Sequence, residues 1–164
     1  MRRFLMCLGP LCLVVLFALV LSAPFGLPGQ DSLAHVLILG TVWLWALYRP
    51  DAMALWSVVL GGLAAELLLG GPPGVLFFWM LVTYAIGSTH VGQPQAGFLA
   101  SWVTFMLLVA GGAVTEWCLA SLHALTIFSF LPVMFQFALG AGIYPLLYAF
   151  FMWEQRRPSQ RMRS

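Results

Sequence analysis

The chain has 164 residues, of which 62% are apolar and only 7% charged, with a formal net charge of +2. A soluble domain carries roughly 25% charged residues, so this chain cannot cover a water-facing surface but can cover a lipid-facing one. Its basic residues are all arginine and form no continuous basic stripe, which excludes a nucleic-acid-binding face. The small positive excess suits anchoring to anionic lipid headgroups. About six spans of ~20 residues fit this length, which predicts one all-α, polytopic membrane bundle over residues 1–164 and no soluble domain.

The first span is predicted over residues 4–22, with Gly9-Pro10 as a possible kink. Arg2-Arg3, the apolar run and Val20-Leu21-Ser22-Ala23 imitate a secretory signal. The run is longer than the ~7–15 residues of a usual signal core, so a retained helix is expected. A lipoprotein signal does not fit, because Leu5-Met6 rather than small residues precede Cys7. Residues 23–30 carry two prolines and two glycines and form an outer loop. Asp31-Ser32 are placed to cap the second span, 33–48, by accepting from its first amides. Trp43, Trp45 and Tyr48 read as an inner aromatic belt, and Pro50 makes a tight turn after Arg49.

The third span, 52–69, leads to the rigid turn Gly70-Gly71-Pro72-Pro73-Gly74. The fourth, 75–88, is short and leads to an inner loop, 89–97, with His90, Gln93 and Pro94. The fifth covers 98–119. Residues 121–130 then form an outer loop or an interfacial helix. The sixth span covers 131–153; Pro132 fits its first turn and Pro145 kinks it unless neighbours satisfy the freed carbonyl.

In this frame Arg2, Arg3, Arg49, Arg156, Arg157, Arg161 and Arg163 all fall on one side of the bilayer. Basic residues near span ends stay with the cytoplasmic leaflet, so an inner-membrane protein with both termini in the cytoplasm is expected. Arg49, Arg156 and Arg157 are its basic anchors. Cys7, Cys12 and Cys118 lie in apolar stretches without metal-ligand spacing, and read as free thiols buried in helices.

Glu66 and Glu116 are the carboxylates inside predicted spans. A charge in hydrocarbon costs several kcal/mol, so each must be protonated, paired or turned toward water. Both lie near the outer boundary, as do Asp31, His35 and His123. Glu66, Glu116, His35 and His123 are therefore candidates for partner contact or structural pairing. They form either one hydrogen-bonded outer cluster or unconnected interfacial side chains. No pair has the i,i+3 or i,i+4 spacing of helical metal ligands, so no metal is expected.

Gly61-Gly62-Leu63-Ala64-Ala65-Glu66 is echoed by Gly111-Gly112-Ala113-Val114-Thr115-Glu116. Duplication would explain the echo, but a shared packing requirement suffices. Small residues let helix backbones approach, which assigns Gly61, Gly62, Gly111, Gly112 and Gly140 to helix packing, with Pro145 beside them. No nucleophile motif and no phosphate-binding glycine loop is present, so neither enzymatic activity nor a cofactor is expected.

The run from Trp45 through Tyr48-Arg49-Pro50 to Gly61-Gly62 and Glu66-Leu67-Leu68-Leu69-Gly70-Gly71-Pro72-Pro73-Gly74 resembles the rod shape-determining protein MreD family. Gly142-Ile143-Tyr144-Pro145-Leu146-Leu147-Tyr148 leading to Arg156-Arg157 resembles that family's last span and basic tail. The likeness covers nearly the whole chain. It departs at Glu66, where the family more often has Asp, and at Gly140, where it often has Asn. The resemblance implies a non-enzymatic scaffold of the cell-elongation machinery that supports peptidoglycan synthesis. Its partners would be an MreC-like bitopic protein and, indirectly, MreB-like actin, a RodA-type glycosyltransferase and a penicillin-binding transpeptidase. It also implies a fold resembling the substrate-binding subunits of vitamin transporters, which supplies a rival expectation: small-molecule uptake, with Trp79 or Trp117 stacking a ring.

Overall fold

The computed structural model describes residues 2–24, 26, 29–89 and 97–156. These form six α-helices: α1 (Arg2–Ser22), α2 (Gln30–Tyr48), α3 (Leu55–Leu69), α4 (Val75–Thr89), α5 (Phe98–Ala124) and α6 (Leu131–Arg156). A single 3-10 turn at Pro50–Ala52 joins α2 to α3. Among the described residues there is no strand.

Among the described residues, three helices are long and apolar enough to cross a membrane: Gln30–Tyr48, Phe98–Ala124 and Leu131–Trp153. At 15 residues each, α3 and α4 extend only about 22 Å. That falls short of the ~30 Å hydrocarbon thickness, so the expected third and fourth spans are apolar helices of less than spanning length.

Helix α2 is the axis of the bundle. It packs on α1, α4 and α6 and more lightly on α5. The other helices form an arc around it in which α1 touches α3, α3 touches α4, α4 touches α5 and α5 touches α6. This explains the composition of α2, which is apolar around most of its surface because partners cover most of it. The outward faces are apolar too, with Leu16, Leu63, Phe78, Leu107 and Leu146 exposed on five different helices. A water-soluble bundle would turn charge to these faces.

Part of the core is tied by polar groups. Trp43 is buried and donates through Nε1 to the Ser101 hydroxyl at 3.1 Å; that hydroxyl lies 2.6 Å from the Tyr144 hydroxyl. This network joins α2, α5 and α6, with Phe105 stacked on Tyr144 at 5.0 Å.

Several local expectations are corrected. Trp43 is a core residue, not part of an interfacial belt, because it faces α5 and α6 rather than the bundle's edge. The residue before α2 is Gly29, and neither Asp31 nor Ser32 caps it; Asp31 sits inside the first turn, where its charge still complements the helix dipole. Helix α5 continues through Ala124, five residues past the expected end, and closes on Leu125 in a left-handed conformation. Cys12 and Cys118 are exposed on the bundle surface rather than buried. Helices α1 and α6 continue through Pro10 and Pro145. The loop expected with His90, Gln93 and Pro94 lies outside the described residues, as do Arg157, Arg161 and Arg163.

Candidate functional site

All four candidate polar residues lie at the end of the bundle bearing the 70–74 turn, and three of them, His35, Glu66 and Glu116, come together there. Glu66 lies in the last turn of α3, which closes on Gly70 at φ 68°. A second left-handed glycine, Gly74 at φ 89°, turns the chain into α4. Both conformations suit glycine because they would strain a residue with a Cβ. The result brings the Gly74 N–H onto Oε1 of Glu66. The carboxylate therefore sits at the amino end of α4, where unpaired amides and the helix dipole favour negative charge.

Glu116 on α5 finds a different partner. Its Oε1 lies 2.9 Å from Nε2 of His35, which is buried in the second turn of α2. The other ring nitrogen, Nδ1, lies 2.7 Å from the carbonyl oxygen of Asp31. A carbonyl only accepts, so Nδ1 carries a proton and the tautomer is set by the backbone. One further proton then bridges Nε2 and Oε1, held either by an imidazolium facing a carboxylate or by a carboxylic acid facing a neutral ring. Both arrangements satisfy the buried imidazole, and neither leaves a bare charge.

His35, Glu66 and Glu116 also line one small cavity with Pro72 and Val75. Its volume is about 10 Å³, about the space one water molecule needs. Hydrogen bonds join α3 to the start of α4 and α2 to α5, and the cavity lies between these two pairs at one end of the bundle. It has no room for a larger ligand. Among the described residues no group of three His, Cys, Asp or Glu side chains is placed to hold a metal ion.

His123 stands apart. It is exposed near the end of α5 and lines an open groove of about 950 Å³ with Pro72, Pro73, Leu122 and Phe128. Trp117 donates through Nε1 to the Phe128 carbonyl at 3.0 Å, which fastens the 125–130 segment back onto α5.

The glycines occupy helix contacts. A Cβ on Gly61 would meet Leu11 and Val14 of α1 at 3.4 Å, and one on Gly62 would meet Phe77 of α4 at 2.9 Å. Gly111 and Gly112 lie under the indole of Trp79 on α4, so that ring is spent on packing and is not free to stack a ligand. Gly140 faces Val109 and Met106 of α5. Pro145 is exposed on the outer side of α6. Arg49 follows α2 with its guanidinium carbon 5.8 Å from the centroid of the Trp45 ring. Arg156 is the last residue of α6.

Two features escape inspection of the sequence. The Trp43–Ser101–Tyr144 network joins residues 58 and 43 positions apart, and no local pattern signals such a contact. The Gly74 amide as partner of Glu66 had a usable signal, the glycines that bracket the 70–74 turn. Comparison with family models, curated proteins and solved structures finds no match to this chain.

Proposed function

We propose that the chain is a non-enzymatic scaffold of the bacterial cell-elongation machinery, spanning the inner membrane with both termini in the cytoplasm. In this reading it binds an MreC-like bitopic protein. Through that protein it works with MreB-like actin, a RodA-type glycosyltransferase and a penicillin-binding transpeptidase. The observation that carries the reading is the bond from Gly74 to Glu66. It makes the stretch that resembles the MreD family one physical unit: a glycine pair packed on two helices, an acidic residue, and a turn that supplies that residue's partner. Apolar faces exposed on the helices support the membrane placement.

The test is recovery of the partner. A tagged chain solubilised from its own membranes should bring down an MreC-like protein, and its depletion should widen rod-shaped cells. A second reading, small-molecule uptake, draws on the 950 Å³ groove beside His123. It expects a ligand retained through purification and no MreC-like protein. That pair of results would replace the scaffold reading.

A further inference from the structure

The arc of helices around α2 leaves an opening between α1 and α6, filled by an apolar groove of about 190 Å³. Leu16 and Phe17 of α1 and Leu147 and Phe150 of α6 form its walls, and Leu44 and Trp45 of α2 form its floor. The hydroxyl of Thr41, also on the floor, is turned back to the Leu37 carbonyl at 2.8 Å and adds no free polar group. One turn beyond Trp45, the Arg49 guanidinium lies over the same indole. Among the described residues Arg49 makes no ion pair. Asp51, on the adjoining turn, is exposed to solvent, where its opposing charge is screened.

We propose that this groove holds an acyl chain of an anionic phospholipid whose headgroup phosphate pairs with Arg49. An apolar trough with a guanidinium over the indole at its floor has the polarity of a lipid molecule, chain first and charge last. Guanidinium is weakly hydrated and offers forked donors that match phosphate oxygens, and the indole beneath it limits its orientations. A second helix fits the groove less well. Helices associate in lipid through small residues that let backbones approach, whereas Leu, Phe and Trp form these walls. Zwitterionic lipids share the phosphate but carry a cation beside it, so Arg49 selects for net negative headgroups.

The proposal rests on the membrane placement and not on the scaffold role. The full chain, purified in detergent, is offered equal amounts of phosphatidylglycerol and phosphatidylcholine with identical acyl chains. Retained lipid is counted by native mass spectrometry. The wild type should retain phosphatidylglycerol over phosphatidylcholine by about fivefold, the factor expected for one basic residue at an anionic headgroup. Arg49→Gln should lower that ratio severalfold while the other arginines keep a residual preference, and Arg49→Lys should keep most of it. Leu16→Trp, on an exposed wall position, should lower retention of both lipids. Equal retention by the wild type overturns the proposal, as does an undiminished preference in a folded Arg49→Gln. Should Arg49→Gln fail to fold, unchanged retention in Leu16→Trp overturns it alone. Dimers without bound lipid would give the groove to a second copy and overturn it too. A chain that does not sediment with membranes would instead remove the placement beneath it.

Discussion

Glu66 and Glu116 occupy matching positions in the two glycine-rich segments, yet their surroundings differ. Glu66 is held by a backbone amide that a neutral acceptor can also satisfy. Glu66→Gln should therefore be mild, because its amide oxygen still accepts from Gly74. Glu66→Leu leaves that N–H unpaired and removes the charge from the amino end of α4, a loss of about 1 kcal/mol at this exposed turn. Thermal unfolding in detergent checks the order, and cell width under complementation checks its consequence. A Leu variant with wild-type stability and normal width would take Glu66 off the functional list. For Glu116 the partner is a side chain, so a double-mutant cycle applies. Removing His35 or Glu116 alone strands the other group in a low-dielectric site. The double variant His35→Leu/Glu116→Leu should be no worse than the poorer single, with a coupling of about 0.5–3 kcal/mol. Additive losses would mean that the pair contributes no coupling.

Packing at the helix level turns on where a glycine stands rather than on how many there are. Gly111 lies against the Trp79 ring, and any Cβ there must displace it. Gly111→Ala should cost about 1–3 kcal/mol through that overpacking. Gly142, in the middle of α6, has nothing within 4 Å of an added Cβ. Gly142→Ala should be neutral or stabilising by about 0.5–1 kcal/mol, since alanine loses less backbone freedom in a helix. Melting temperatures of the two variants measure both. Gly62→Leu, pressed against Phe77, should lower assembly or protein level, and wild-type abundance would show that the α3–α4 contact tolerates separation. The five residues by which α5 exceeds its expected length are a related effect. Apolarity alone marks the hydrocarbon region, while a helix ends where its backbone finds another partner, here at Leu125.

At the scale of the molecule, the arginine distribution along the sequence and the apolar outward faces support the proposed topology, and reporter fusions test it. A phosphatase fused after Ser164 should be inactive, and one inserted within residues 71–74 active. The opposite pattern would invert the sides, and with them the leaflet that Glu66 and Glu116 face. As spans, the short α3 and α4 would require either a locally thinner bilayer or protein cover at their ends. The two hydrogen-bonded pairs sit at one of those ends, where wet headgroups rather than hydrocarbon would surround them.

Much of the fold was legible without coordinates, because backbone groups in an apolar solvent must be satisfied within a helix. Composition alone therefore implied an all-α bundle, and the prolines and glycines marked where helices stop, closely for α2, α3 and α4. The arginines carried the expected topology in the same way, through their cost in lipid. What sequence could not supply was which faces meet. Every helix is apolar on most of its surface, so no stripe distinguishes α2, the covered axis, from α6, whose outer face is bare. For the same reason the roles of Trp43 and Trp79 were decided only by the neighbours that α5 and α6 bring to them. The polar residues followed a mixed rule. Their common end of the bundle was implied by position along the spans. That His35 meets Glu116 while His123 stands apart depended on helix rotation, and only tertiary packing sets that.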